Sequence, residues 1–151
     1  MLDLNEFPLA IIGIDSNVFR QRDFINYLIL RKEQMKIFVP TIVQLEVGFF
    51  HLIKGNSWDD FVNYIKQFGG ELVQWGNFTN SDVLQNAYIA RQKLPFRQHF
   101  RDFIIGTECQ SLGCSLVTNN VSHFSWVTGI QVYSTEQFIM GIETQLNSSE
   151  I

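Results

Sequence analysis

Residues 10–15 read Ala-Ile-Ile-Gly-Ile-Asp, an apolar run closed by a single carboxylic acid. A short continuous apolar run rich in isoleucine predicts a strand buried on both faces, as in a parallel sheet. Ligands of open parallel sheets bind outside the carboxyl ends of the strands. Asp15 therefore occupies a position suited to function, although it could instead only cap the next element.

Helix and strand signals alternate along the rest of the chain, which predicts an α/β domain with a parallel sheet. The predicted strands are residues 10–14, 35–39, 72–75, 115–118 and 130–133. Helices are predicted at 23–34, after Thr41, after Ser57, after Thr79, around Asp102 as far as about residue 112, and at 135–142. The pairs Thr41 with Gln44, Ser57 with Asp60 and Thr79 with Asp82 have the spacing of capping boxes.

The length of 151 residues suits one domain over 1–151, with its core at about 10–140 and frayed tails at 1–8 and 144–151. The net charge of −4 argues against holding nucleic acid by overall charge alone. The chain shows neither a basic leader nor an apolar stretch of the length that spans a membrane. We therefore expect a cytoplasmic protein with no membrane association, in which both cysteines are free thiols.

Two further acids interrupt apolar segments. The neighbours of Glu46 three and four residues away are Ile42, Val43, Phe49 and Phe50, which predicts that Glu46 is not on a solvated stripe. Asp102 interrupts the run 100–105. A buried ionised carboxylate costs on the order of several kcal/mol unless a cation or hydrogen bonds compensate it.

The simplest explanation of three such acids is that Asp15, Glu46 and Asp102 converge on one bound cation. A buried ion pair is the alternative for Glu46, and an N-cap or a pair with Arg101 is the alternative for Asp102. An acid that faces away, or that is locked to an arginine deep inside, would contradict the convergence on a metal.

A second polar loop, Thr118-Asn119-Asn120, ends the predicted strand 115–118. The amide oxygen of Asn120 can bind a hard cation, although a turn role is equally open for Asn119 and Asn120. Ser16 and Asn17, which follow Asp15, more often cap or turn than catalyse.

In chain order these features are a strand with Asp, a helix with Glu, a helix with Asp and a strand with Thr-x-Asn. This pattern resembles the PIN-domain nucleases, including the VapC-type toxin ribonucleases. The matching segments are residues 12–19 (IGIDSNVF), 40–46 (PTIVQLE), 101–106 (RDFIIG) and 116–124 (LVTNNVSHF). The resemblance covers roughly residues 10–135.

The resemblance implies a three-layer α/β/α fold with a central parallel sheet of four to five strands, and metal-dependent cleavage of RNA. It implies that Asp15, Glu46 and Asp102 bind Mg²⁺ or Mn²⁺, which prefer oxygen ligands. Asn120 takes the place of a further catalytic residue, and Ser16, Asn17 and Thr118 are supporting groups. His123 lies where another Asp is common, and neutral residues at 120 and 123 weaken binding of a second metal ion.

VapC-type toxins pair with a small antitoxin and often dimerise, so the resemblance also implies both partners. The basic cluster that includes Arg97 and Arg101 leads into Asp102 and could hold RNA phosphates, with Arg20 as a weaker candidate. A solvated surface is an equally open explanation of that cluster. We expect Phe49, Phe50, Trp58 and Phe61 to fill the core rather than an interface.

Other functions fit less well. An aspartyl phosphatase needs a second Asp two residues after the first, and residue 17 is Asn. Neither a P-loop nor a dinucleotide-binding glycine motif is present. A catalytically weak PIN-like domain that binds RNA or a protein remains the main alternative, because of the neutral Asn120 and His123 and the acidic net charge.

Overall fold

A computed structural model of the chain describes residues 9–149, and the predicted tail at 1–8 and residues 150–151 lie outside these. Its sheet has five strands in the order β3-β2-β1-β4-β5. The strands are β1 Ala10–Ile14, β2 Met35–Val39, β3 Gly70–Leu72, β4 Ser115–Val117 and β5 Val132–Tyr133. All four pairings are parallel, so the predicted fold class is confirmed.

Six α-helices flank the sheet in the described part of the chain, in a three-layer α/β/α arrangement. They are α1 Arg22–Arg31, α2 Thr41–Ile53, α3 Trp58–Gln67, α4 Asn80–Ala90, α5 Phe96–Leu112 and α6 Thr135–Ser149. Three short 3-10 helices cover Ser16–Arg20, Lys32–Gln34 and Val121–Phe124. None of the helices in residues 9–149 has the length and apolar character needed to cross a bilayer.

The central strand β1 is covered on both faces, since the consecutive residues Ile12, Gly13 and Ile14 are all buried. Gly13 also sets how closely α5 approaches the sheet. A Cβ atom at Gly13 would lie 2.8 Å from the Sγ of Cys109 on α5, closer than real contacts allow. The absence of a side chain at Gly13 thus lets α5, which carries Asp102, pack directly against β1.

Two of the three predicted capping boxes are confirmed. Ser57 with Asp60 begins α3, and Thr79 with Asp82 begins α4, with both reciprocal hydrogen bonds present in each. The third prediction is wrong. Thr41 is the first residue of α2 rather than its cap, because its backbone N–H donates to the carboxylate of Glu108 on α5.

Gln44, the other half of that expected box, donates instead to the backbone carbonyls of Val39, at 2.9 Å, and Val73, at 2.8 Å. Two boundaries also differ from the prediction. β3 covers Gly70–Leu72, so it begins earlier than the predicted strand and stops before Trp75. α6 continues to Ser149, which places residues 144–149 in a helix rather than in a frayed tail.

The outward face of α2 departs furthest from the sequence prediction. Leu45, Phe49, Phe50, Leu52 and Ile53 are all exposed, and so is Trp58 at the start of α3. Of the four aromatic residues expected in the core, only Phe61 is fully buried. The helix is apolar almost all round, yet one of its apolar faces has no covering element in the described chain.

Candidate active site

Asp15 lies at the carboxyl end of β1 and is fully buried. The register pairs Ile14 with Val117, which brings the residues that follow β1 and β4 side by side. The Asp15 carboxylate accepts a 2.7 Å hydrogen bond from the backbone N–H of Ser16 and a 2.8 Å bond from the Thr118 hydroxyl. Asp15 is also the N-cap of the 3-10 helix Ser16–Arg20, so its capping role and its site position coexist.

The two loops at this sheet edge are tied together by polar groups. The Asn17 side chain donates to the Thr118 hydroxyl at 3.4 Å and accepts from the backbone N–H of Asn119 at 3.2 Å. The backbone N–H of Asn120 donates to the same hydroxyl at 3.0 Å, while the residue itself is exposed. Thr118 therefore orients Asp15 and joins the loops.

Glu46 from α2 and Asp102 from α5 reach the same place as Asp15, and all three carboxylates bind one guanidinium group, that of Arg101. Its Nη2 lies 2.8 Å from Asp15 Oδ1 and 2.8 Å from Glu46 Oε1. Its Nη1 lies 2.7 Å from Asp102 Oδ1, and its Nε donates to Glu46 Oε2 at 3.0 Å. Nη2 also donates to the Ser16 hydroxyl at 3.0 Å.

The acids hold Arg101 in its charged form. Burial lowers the pKa of the guanidinium, but its hydrogen bond with Glu46 and the charge of Asp15 outweigh burial and leave the pKa above its ordinary value. Three carboxylates and one guanidinium leave a formal charge of about −2 in the cluster. The site therefore remains anionic with Arg101 in place.

The three predicted acids thus come together, but around an arginine that the sequence interpretation assigned to the substrate. The alternatives of a pair with Arg101 for Asp102 and of an ion pair for Glu46 are therefore both present. The Arg101 side chain is 27% exposed, so the ion pairs lie in a cleft rather than deep in the core. Glu46 is 38% exposed, and the prediction that it avoids solvent was wrong. Arg97 and Arg20 are exposed, as substrate contacts require, and their roles stay predictions.

Two histidines complete the surroundings of Asp102. Sequence reasoning did not assign His99 to the site, whereas the resemblance placed His123 where another Asp is common. His99 Nδ1 and His123 Nδ1 each lie 3.3 Å from Asp102 Oδ2. His99 stands three residues before Asp102 on the same face of α5, a spacing that could have signalled the contact. The approach of His123 depends on the tertiary fold and has no local signal.

Whether the site suits a divalent cation can be tested on its donors. Oxygen atoms from three carboxylates, with the Ser16 hydroxyl beside them, are what Mg²⁺ and Mn²⁺ prefer. The guanidinium stands in for such a cation, since each carboxylate places an oxygen against it. The residues fit a metal ion in type and position, provided that Arg101 withdraws and the carboxylates close on the space it leaves.

A fourth buried carboxylate, Glu108, was also missed. It is fully buried on α5 and accepts hydrogen bonds from the backbone N–H of Thr41 at 2.7 Å and from the Thr41 hydroxyl at 3.0 Å. Burial raises the pKa of Glu108, and the bonds from Thr41 oppose that rise. Glu108 caps the amino terminus of α2, so its role is to hold the helix that carries Glu46.

The proteins found to be similar to this chain are solved structures. No protein-family model matches the sequence, and the comparison with curated proteins gave no match. The chain is similar to the crystal structure of PAE2754 from Pyrobaculum aerophilum, at 15% identity and a TM-score of 0.57, over 89% of this chain and 90% of that one.

Two VapBC structures are similar as well. DNA-bound VapBC from Salmonella typhimurium matches at 18% identity and a TM-score of 0.55, over 84% of this chain and 99% of that one. VapBC2 from Rickettsia felis, bound to a DNA fragment from their promoter, matches at 17% identity and a TM-score of 0.53, over 82% and 98%. At such identities the likeness shows the fold, which is the VapC-like PIN fold that the four motifs predict.

Proposed function

We propose that this protein is an endoribonuclease that requires Mg²⁺ or Mn²⁺ and hydrolyses RNA phosphodiester bonds. One observation carries the proposal. Carboxylates from β1, α2 and α5 gather on a single cation at the carboxyl end of the central strand. Three acids from separate elements are costly to assemble, and a scaffold that needed only stability would not require them.

In the proposed site, Asp15 and Asp102 are the principal ligands of the ion, and Glu46 is a ligand directly or through water. A bound divalent ion lowers the pKa of a coordinated water and neutralises charge that develops on the phosphate. Thr118 holds Asp15 in orientation through its 2.8 Å hydrogen bond. Ser16, Asn17 and Asn120 lie on the two loops beside this position and are its supporting groups.

Arg101 has two positions in this proposal. Without metal its guanidinium binds the three acids and offsets part of their charge, and with metal it turns outward to a phosphate of the RNA. Arg97 lies one helical turn before Arg101 on α5 and is exposed, so the two arginines can bind successive phosphates. Arg20, at the end of the 3-10 helix that follows Asp15, is exposed and is the third candidate for a phosphate contact.

The proposal includes the role of toxin in a toxin–antitoxin pair. The structural similarity to VapBC complexes supports it, since those are assemblies of two different proteins. The exposed apolar face of α2, next to Glu46, is the kind of surface that a partner chain covers. A homodimer is the second expected assembly.

Cleavage assays test the function directly. Single-stranded and structured RNAs are incubated with the protein in EDTA, Mg²⁺ or Mn²⁺. We expect cleavage only with a divalent ion, and a rate at least about 100-fold lower for Asp15→Asn and Asp102→Asn, since losing even a ligand's hydrogen-bond partner costs about 10- to 100-fold. Glu33→Gln is the matched control, an exposed acid near the amino end of β2 at the opposite sheet edge. Equal cleavage in EDTA, or by Asp15→Asn, contradicts the proposal.

A catalytically weak domain that binds RNA or a protein is the second candidate, and Arg101 favours it. An arginine that binds all three acids opposes metal entry, so such a domain would keep its ion pairs permanently. RNA binding without cleavage in any divalent ion, unchanged in Asp15→Asn, would support this second function.

A further inference from the structure

His99, Asp102 and His123 form the most compact set of metal-ligating groups in the described chain. Within residues 9–149 it is the one group of three or more His, Cys, Asp or Glu whose ligand atoms all lie within 4.8 Å of one another. The two imidazole rings meet edge to face with their centroids 4.9 Å apart. The carboxylates around Arg101 do not reach this spacing, because the guanidinium stands between them.

We propose that these three residues form a second cation site, distinct from the carboxylate site, for a divalent transition metal such as Co²⁺, Zn²⁺ or Mn²⁺. Two imidazole nitrogens and a carboxylate oxygen suit these ions, whereas Mg²⁺ prefers oxygen ligands alone. The set leaves further coordination positions for water.

The packing of the chain builds this site. His99 and Asp102 project from one face of α5, while His123 belongs to the 3-10 helix Val121–Phe124. The indole of Trp126 donates a 2.9 Å hydrogen bond to the His123 carbonyl and fixes that helix. Trp126 packs on α5 only because residue 106 is glycine, since a Cβ there would lie 2.5 Å from the indole.

An ion can enter without disturbing Arg101. Asp102 gives its Oδ1 to the guanidinium and directs its Oδ2 toward the two histidines. The His123 side chain is 38% exposed, so an ion reaches the group from solvent on that side. Asp102 therefore bridges two cation positions, one held by Arg101 and one open to a transition metal. The second site shares Asp102 with the proposed nuclease site, but its two histidines are not among the proposed nuclease ligands, so the two proposals can fail separately.

The test uses tag-free protein, Co²⁺ as the probe, and titration followed by calorimetry and by visible absorption. The chain has three histidines, so His51, which packs against Phe61 and Tyr64, supplies the matched control. We expect His99→Ala and His123→Ala each to weaken Co²⁺ binding at least about 10-fold, as losing a ligand exceeds losing its orienting partner. His51→Ala should bind Co²⁺ like the wild type, and millimolar Mg²⁺ should not displace the bound Co²⁺.

Proton NMR of the wild-type protein tests the site even if the variants fail to fold. Paramagnetic Co²⁺ should shift or broaden the ring signals of His99 and His123 while those of His51 stay in place. Wild-type Co²⁺ affinity in both alanine variants, displacement of Co²⁺ by Mg²⁺, or equal effects on all three histidines would overturn the site. If the wild type binds Co²⁺ as expected but cleaves no RNA in Mg²⁺ or Mn²⁺, the result counts against the nuclease proposal alone.

Discussion

Asp15 and Glu108 are both fully buried carboxylates, yet they have opposite surroundings. Asp15 meets the Arg101 guanidinium together with Ser16 and Thr118. Glu108 accepts its hydrogen bonds from the N–H and hydroxyl of Thr41. Burial alone therefore does not distinguish an acid of the candidate site from a helix cap, whereas the guanidinium shared with two further acids does.

This contrast matters for the site because Glu108 supports the helix α2, which brings Glu46 to the same guanidinium as Asp15. Glu108 anchors the first residue of that helix, where an anion is favourable beside the helix amino terminus. Glu46 follows on the same helix and reaches Arg101. Substitutions can therefore separate the stabilising role of Glu108 from the grouping of the three acids around Arg101.

The largest expected effect is at Glu108. Glu108→Ala leaves the Thr41 N–H without its acceptor and opens a cavity, so we expect the free energy of unfolding to fall by about 3 kcal/mol. Glu108→Gln keeps an oxygen acceptor in place and should cost less than about 1 kcal/mol. Urea unfolding of the wild type and the two variants measures both losses of unfolding free energy. Equal losses in the two variants would show that Thr41 needs the negative charge itself.

Arg101→Gln comes second, since it removes the cation shared by the three acids. In EDTA we expect a loss of about 2 kcal/mol, less than the ~3–5 kcal/mol for breaking a fully buried pair, because the cleft is partly solvated. Mn²⁺ should restore stability to Arg101→Gln and should stabilise the wild type less, since there the ion must displace the guanidinium.

Arg97→Gln is the control for that comparison, as an exposed arginine on the same helix, and should change stability by less than about 0.5 kcal/mol. Thermal unfolding with and without Mn²⁺ gives all the values needed. If Mn²⁺ stabilises Arg101→Gln no more than the wild type, the guanidinium and the metal ion do not share a position.

Local patterns predicted the parts of this molecule that local interactions decide. The apolar run before Asp15 gave the central strand, and the capping boxes at Ser57 and Thr79 began α3 and α4. The similar pattern at Thr41 misled, because Glu108, 67 residues away in the chain, bonds the group that a cap would have bonded. A tertiary partner thus overrode a local signal.

The candidate site was predicted in part for the same reason. Asp15, Glu46 and Asp102 stood out because each is an acid among apolar residues. That Arg101 lies between them depends on the packing of α5 against β1 and α2, which adjacency of Arg101 to Asp102 in the sequence does not reveal. Likewise, periodicity could not tell that an apolar face of α2 is exposed rather than buried.

The pH dependence of stability is a further test of how Glu108 differs from Asp15. Its pKa is raised in the folded state, so the folded protein favours the protonated carboxyl. This contribution is complete below the unfolded pKa of about 4.3 and is lost as pH rises through the higher folded value. Relative to Glu108→Gln, the wild type should therefore lose stability as pH rises above about 4. Urea midpoints at several pH values measure the difference, and a flat or rising difference would contradict it.

The smallest effect is expected at a third kind of carboxylate, one that is paired and only partly buried. Glu143 accepts bonds from the Tyr27 hydroxyl at 2.8 Å and from Arg31 at 3.1 Å. Because the pair lies at the surface, Glu143→Gln should change stability by less than about 1 kcal/mol.

Burial, with the hydrogen bond and charge of Glu143, raises the pKa of Tyr27 to about 12. Glu143→Gln should lower that pKa toward the ordinary value while burial keeps it from returning fully. Ultraviolet titration, with Tyr27→Phe to assign the transition among the four tyrosines, measures the shift. An unchanged Tyr27 pKa would mean that burial alone raises it, and that Glu143 has little effect on the titration of its partner.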